Sequence, residues 1–509
     1  MNRTGRRATA GTIVALLLAL GGPLPGWAAT AQPAGPAWYP ALAQSNLPDN
    51  SSGVGEPALP AAAWQPPPVN MDLVPSDGTP APPQTYQQKY QCLQSDTAGA
   101  VINQASPAQL MLDIGAAQQL STGKNVTVAI IDTGVNPHPF LTGRLTGGGD
   151  YVAPSPQNNG TVDCDGHGTL TAGIVAADTR GSGLGFTGVA PDAKILAIRQ
   201  TSSAYSTSDD TGGSGSGASG AGNTASLAQA VVHAVDQHAQ VITTSVDECI
   251  PVTPGQPVPF TTGDLQLQAA VHWAVEHNVV VVNSAGNLSS GKCPNTPQNS
   301  DPDPNRVDQV QVPAVFSSDV ISVASVNPAG GDVSSFSVWG PWVSVAAPGE
   351  GIVSIDPAPG SSGLANLYSE PGATQPGAIE GTSFAAPYVA GLAALLRAKY
   401  PTMSAREIMY RIEATAQHPS GPGGRNTQVG YGLIDPVAAL TALIPGQNGV
   451  PEAKTTAIKA QIPNSGADDP LPLRVALIGS AGAAALLLVL YFVVRTRRSE
   501  RDVRLTPRR

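Results

Sequence analysis

The chain has 509 residues, 41% hydrophobic and only 12% charged, enough apolar material for one large core. Its formal charge of −10 is unevenly spread: residues 1–31 carry +3, residues 495–509 carry +5, and the body between them carries −18. An acidic body excludes a nucleic-acid partner, and the basic ends read as topology signals.

The first predicted element is an export signal over residues 1–31. Arg3, Arg6 and Arg7 precede the apolar run Ile13–Leu20, and Ala29-Thr30-Ala31 offers a small-residue cleavage site. Residues 32–120 follow as a Pro-rich N-terminal extension. From residue 32 to about 85 the apolar positions lack periodicity and the stretch reads as extended and poorly ordered, with Pro66-Pro67-Pro68 and Pro82-Pro83 favouring extended backbone. Too few periodic apolar residues exist to build a separate core, so the segment is expected to stay attached and wrap the following domain. Near its end, Ser106 and Pro107 predict a short helix with Ser as N-cap and Pro at the first position.

Residues 121–445 read as one domain in which strands and helices alternate. Predicted strands are Val126–Ile131, Ile195–Ile198, Val241–Thr244 and Val279–Val282. Predicted helices are Leu227–His238, Leu265–His277, Phe384–Lys399 and Ala405–Ala414. This alternation implies an α/β fold with a parallel sheet, helices on both faces, and sites at the carboxyl ends of the strands. The Ser/Gly/Asp-rich stretch Ser202–Thr224 reads as a solvated surface insertion. Asp209-Asp210 and Asp301-Pro302-Asp303-Pro304 lack the ligand spacing of a calcium loop. Close Cys/His pairs of the zinc-binding type are missing too, so no metal and no cofactor is expected.

Three glycine-flanked segments carry the chemistry: Ile130-Ile131-Asp132-Thr133-Gly134, Asp165-Gly166-His167-Gly168-Thr169, and Gly381-Thr382-Ser383-Phe384-Ala385-Ala386-Pro387. Taken singly, each central residue is an ordinary turn, loop or helix-start residue. Together, in the order Asp, His, Ser, they form the set that acyl transfer needs. A serine hydroxyl is a poor nucleophile without a base, and an imidazole titrates near neutrality. His167 is therefore the expected base for Ser383, and Asp132 the carboxylate that fixes its tautomer. Asn287 follows the buried run Val279–Val282 in a Ser284-Ala285-Gly286-Asn287 turn. Its amide and the Ser383 N–H are the expected oxyanion donors. An extended peptide is expected to lie along Thr244–Val246, where Asp247 and Glu248 follow. The remaining histidines, His138, His233, His238, His272, His277 and His418, are given no role.

A linker over residues 446–472 leads to a predicted transmembrane helix over 473–494. Val475–Val494 is a run of twenty residues without a charge. Arg495, Arg497 and Arg498 follow, which places the basic tail, 495–509, in the cytoplasm and the body outside. Ala481-Gly482-Ala483-Ala484-Ala485 gives the span a small-residue face. Four cysteines in an exported chain suggest two disulfides, with three pairings open.

The three motifs, with Tyr431-Gly432-Leu433-Ile434-Asp435-Pro436 and this domain order, resemble the subtilases. More narrowly they resemble the mycosins, the membrane-anchored subtilases of actinobacterial type VII secretion systems. The likeness covers about residues 90–494, and Leu170 stands where many subtilases carry a second histidine. The resemblance implies a subtilisin-like three-layer fold and serine endopeptidase activity through Asp132, His167 and Ser383. It implies secreted protein or peptide substrates, a cell-membrane location, and association with components of a type VII secretion membrane complex. It also implies the pairings Cys92–Cys164 and Cys249–Cys293. Two other functions fit the same features: a structural subunit of that complex with secondary protease activity, and a broad-specificity cell-surface protease.

Overall fold

The computed structural model describes residues 64–93, 102–450 and 471–503, apart from 156–158, 208–219, 254–255, 289–292, 294–295, 297, 300–306, 370, 374 and 448–449. The export signal, Asp209-Asp210, Asp301–Pro304 and nearly all of the linker lie outside the described residues.

Seven parallel strands form the central sheet. Their order is Val345–Pro348, Ile321–Val326, Val280–Ser284, Val241–Thr244, Thr127–Asp132, Lys194–Arg199 and Leu145–Asp150. Val128, Ala129, Ile130 and Ile131 are all buried, although successive side chains point to opposite faces. Both faces must therefore be covered, as parallel sheets require. Two helix pairs supply the cover: Thr224–Asp236 packs beside Thr262–Glu276, and His167–Ala176 beside Thr382–Lys399.

Both helices of the first pair start three residues before the apolar periodicity predicts. Asn223 caps one with its side chain on Ser226, and Thr261 caps the other on Asp264. These caps precede the first apolar position, so periodicity alone misses them. Ser106 accepts from Gln109 N and opens the short helix Pro107–Met111 as expected.

Three sheet strands escape the sequence pattern. Leu145–Asp150 is half glycine, half of Ile321–Val326 is Ser or Ala, and Val345–Pro348 has four residues, three of them Ala or Pro. After Thr127–Asp132 the chain builds one side of the sheet, with Leu145–Asp150 and Lys194–Arg199. It then crosses to the other side with Val241–Thr244 and its successors. The order reverses at Thr127–Asp132, and the crevice at its carboxyl end is where such sheets hold their sites.

The stretch Ser202–Thr224 is not the uniformly solvated insertion its composition suggests. Ser202, Ala204, Ser206 and Ala221 are buried, and Tyr205–Ser206 is a strand paired with Gln87–Gln88. Thr224 already belongs to the next helix. Gln447, in the stretch read as linker, is also buried; its side chain accepts from Arg411 and donates to Glu407 O.

Residues 64–93 lie in extended form against the domain. Trp64 meets Trp342 edge-on at 5.5 Å, and Pro67 O accepts from Gln268. Further along, Asp77 bonds His233 at 2.8 Å and Tyr86 Oη accepts from Gly222 N.

The C-terminal unit contains the helix Leu471–Val503. Its segment Arg474–Arg497 is long and apolar enough to cross a membrane, with a mean hydropathy of 2.4 over its most apolar window. At 1.5 Å per residue, these 24 residues span about 36 Å, more than the ~30 Å of a hydrocarbon core.

Candidate active site

Asp132 is the last residue of its strand, and His167 is the first residue of the helix His167–Ala176. The two meet through a 2.7 Å bond between His167 Nδ1 and Asp132 Oδ1. That oxygen also accepts from Thr133 N at 2.7 Å. Asp132 is buried, and among the described residues its Oδ2 has no hydrogen-bond partner. The helix comes this close to the strand end because residue 168 is glycine. A β-carbon there would strike Gly134 O and lie 3.1 Å from the Asp132 side chain.

A second aspartate, missed by the sequence reading, ties these parts together. Asp163 is buried and accepts four hydrogen bonds: Thr133 Oγ1 at 2.8 Å, Gly166 N at 2.7 Å, Thr169 N at 2.8 Å and Thr169 Oγ1 at 2.6 Å. Thr133 Oγ1 in turn accepts from Gly168 N at 2.9 Å. The backbone of Asp163 is bound on both sides by Asn136, whose amide also donates to Pro357 O. One carboxylate thus joins the turn after Asp132 to the first turn of the His167 helix. Burial, and after it the charge of Asp165, push its carboxyl up to about 6. Asp165 turns the other way and accepts from Ser202, Ser203 and Ala204.

Ser383 is the second residue of the helix Thr382–Lys399, and Pro387 lies in the same helix. Proline has no N–H, so the Ser383 carbonyl loses its normal helical partner four residues on. It accepts instead from Ser245 Oγ at 3.2 Å. The Ser383 backbone is thereby fastened to the segment that follows Val241–Thr244. The next residue, Phe384, packs against the His167 ring at 4.8 Å between centroids.

Asn287 lies just beyond Val280–Ser284. Its Oδ1 accepts from both Thr382 N and Thr382 Oγ1, each at 3.1 Å. With Oδ1 held this way, the Nδ2 group faces the helix start. A β-carbon on Gly381 would sit 3.6 Å from Asn287 Nδ2 and 3.8 Å from Ser383 N. Two N–H donors thus converge at a helix N-terminus, where partial positive charge favours an anion. The structure brings together all four residues singled out from sequence: Asp132, His167, Ser383 and Asn287.

Cys92 is bonded to Cys164, and Cys249 to Cys293. The first bond ends three residues before His167. Leu93 N donates to Cys164 O at 2.9 Å, and Lys89 N to Ala204 O at 2.8 Å, so the extension borders the site. Among the described residues no cluster of acidic, His or Cys side chains is suited to hold a metal.

This fold and arrangement define a class, the subtilisin-like serine endopeptidases. The sequence model of the subtilase family matches residues 123–432. Mycosin-4 of Mycobacterium tuberculosis is 37% identical over 448 residues, spanning 87% of this chain and 93% of that protein. A solved structure described as MycP3 protease from the type VII (ESX-3) secretion system matches with a TM-score of 0.64 at 37% identity. It covers 74% of this chain and all of its own. A chain in the structure of an intact ESX-5 inner membrane complex matches with a TM-score of 0.66 at 33% identity, covering 85% of this chain and all of its own. The chain belongs to the subtilase family and, within it, to the mycosins.

The four bonds at Asp163 generate a stability test. Asp163→Ala leaves several buried donors without an acceptor and is expected to cost about 3 kcal/mol or more of unfolding free energy. Denaturant titration measures it. A loss under about 0.5 kcal/mol, the range of neutral surface changes, would show that this carboxylate does not hold the site together.

Proposed function

We propose that this chain is a membrane-anchored serine endopeptidase working in type VII protein secretion, with Asp132, His167 and Ser383 as its triad. The observation that carries this reading is the 2.7 Å His167 Nδ1–Asp132 Oδ1 bond, beside the helix that presents Ser383. Asp132 fixes the tautomer that turns Nε2 to the hydroxyl. His167 takes the Ser383 proton while Oγ attacks the scissile carbonyl. Asn287 Nδ2 and Ser383 N–H hold the oxyanion. The imidazolium then protonates the leaving amine, and the same base activates the water that hydrolyses the acyl-enzyme. Secreted proteins presenting an extended segment are the substrate class. A structural role within a secretion membrane complex is the second reading, favoured by the match to the ESX-5 inner membrane complex chain.

The chemistry is tested by labelling and kinetics. Ser383→Ala and His167→Ala are expected to abolish reaction with a fluorophosphonate probe. Asn287→Ala is expected to lower kcat by about 10²–10³ with KM less affected. Persistent labelling of Ser383→Ala would mean the nucleophile is another residue. Secretion restored by Ser383→Ala in a deletion strain would make the structural role the essential one.

Residues 32–120 are read as a strap that remains in the mature protein. The contacts of Trp64, Asp77 and Lys89 and the Cys92–Cys164 bond support this. Mass spectrometry of the purified protein should find an N-terminus near Gln32 and a linked Cys92–Cys164 peptide. An N-terminus beyond Cys92 would make the segment a removable pro-domain instead.

The Arg474–Arg497 segment is read as the membrane anchor, with the peptidase domain on the exterior or periplasmic side and the tail cytoplasmic. Protease added to intact cells should degrade the domain and spare a tag on the tail. Digestion of that tag would reverse the orientation.

A further inference from the structure

The base stands where the backbone works against the charge it must carry. His167 is the first residue of its helix, and Phe384, the third residue of Thr382–Lys399, touches its ring. The N-terminal ends of two helices therefore lie at the imidazole, and each carries partial positive charge. Taking the Ser383 proton turns the ring into an imidazolium, which both helix ends disfavour.

The surrounding charges offset this in part. Asp132 is bonded to Nδ1 from the strand end. Asp247, beyond Val241–Thr244, acts on the ring through its charge; burial pushes its carboxyl up to about 6, with His167 opposing, so it is mainly ionised at neutral pH. Asp163 and Asp165 precede His167, and each accepts several hydrogen bonds of its own. The other elements packed on the His167 helix bring Arg199, which is paired with Asp150, and His138, which burial holds down at about 4 and therefore neutral. Asp356 follows Ser354–Ile355 and accepts from Ala358 N, and Glu380, before Gly381, is exposed.

Phe384 lies on the ring itself. The two centroids are 4.8 Å apart with the planes at 39°, inside the ~6 Å over which an aromatic face attracts a cation. Phe384 is buried at 3% exposure, so water does not compete for its side of the contact. Its place is fixed. Phe384 N donates to Gly381 O at 3.1 Å, and a β-carbon on Gly381 would lie 3.7 Å from Phe384 Cδ2. The two residues before it are tied to Ser245 and Asn287.

An aliphatic side chain would fill this space equally well. An aromatic ring adds a negative face, which gains little from a neutral imidazole and more from an imidazolium. The contact therefore strengthens as the transition state forms, which is the condition for accelerating the reaction. We propose that Phe384 is a positioning residue for the base: its ring keeps the His167 imidazole on Asp132 and supports the positive charge that the imidazole takes on when Ser383 gives up its proton. The proton passes from Ser383 Oγ to His167 Nε2 as Oγ bonds the acyl carbon, and Phe384 acts on His167 alone.

This inference rests on the acyl-transfer reading, and the experiment separates the two. Full-length protein in detergent is reacted with a fluorophosphonate probe across the pH range in which an imidazole titrates. The rate falls on the acid side as His167 gains a proton. Phe384→Leu removes the aromatic face. Replacement of Phe384 by 3,4,5-trifluorophenylalanine keeps the shape but draws electrons off that face. Both proteins are expected to label more slowly at the plateau, by at least about threefold, and to shift the pH of half-maximal rate down by about half a unit or more, because the imidazolium has lost support. A contact that only packs would be preserved in the fluorinated protein. An unmoved pH profile in that protein overturns the proposal, whether or not Phe384→Leu folds. Wild-type labelling combined with such an unmoved profile removes the role of Phe384 only; absent labelling in wild type removes both readings.

Discussion

The geometry around Asp132 and His167 depends on one buried carboxylate that touches neither side chain in a hydrogen bond. Asp163 gathers four donors from the turn after Asp132 and from the first turn of the His167 helix. A strand end and a helix start are separate elements, each free to shift by an ångström against the other. A short hydrogen bond between an aspartate and a histidine tolerates no such shift. Asp163 removes that freedom by binding both elements at once, with Asn136 holding its own backbone. The 2.7 Å bond between His167 and Asp132 is a consequence of this frame.

The serine side of the cleft uses a comparable device. Pro387 withholds an N–H from Ser383 O, and Ser245 Oγ supplies the missing donor. Thr382 gives two donors to Asn287 Oδ1. One helix start is thus tied both to the end of Val241–Thr244 and to the turn after Val280–Ser284. Ser383 and Asn287 are positioned by the same few residues. Because every tie involves backbone or a short side chain, little conformational freedom remains to be lost when a substrate binds.

The N-terminal segment extends this order outward. Ser202, Ser203 and Ala204 are held by Asp165, and Ala204 O receives Lys89 N from the extension. Asp163, Cys164 and Asp165 therefore face three different tasks: the frame around Asp132 and His167, the bond to Cys92, and the neighbouring edge. The extension is thus anchored three residues before His167. There is similar crowding at Gly286, where a β-carbon would meet Asp247 Oδ2 and the Gln311 side chain.

Local sequence determined four of the seven sheet strands, the long helices other than His167–Ala176, and the motif residues. The runs before Asp132 and Asn287, the small-residue helix after Ser383 and the apolar C-terminal helix each carry their signal within about 20 residues. The glycine-flanked Asp, His and Ser motifs specify turns at strand or helix ends, so they could be read without a fold. What only the tertiary structure decided are contacts between distant residues. Asp163 and Asp165 look alike in sequence, two residues apart, yet one joins Thr133 and the other joins Ser202. Four cysteines leave three pairings open, and the meeting of Cys92 with Cys164 depends on where the extension runs. Leu145–Asp150 is a strand because Lys194–Arg199 offers it an edge, not because its glycines prefer one. Asp247 and Gln311 stand 64 positions apart and become neighbours through the pairing of Glu248–Pro251 with Gln309–Val312. Periodicity and capping are properties of a short stretch of chain; which stretches meet is set by the crossing order of the sheet, and that order has no local signature.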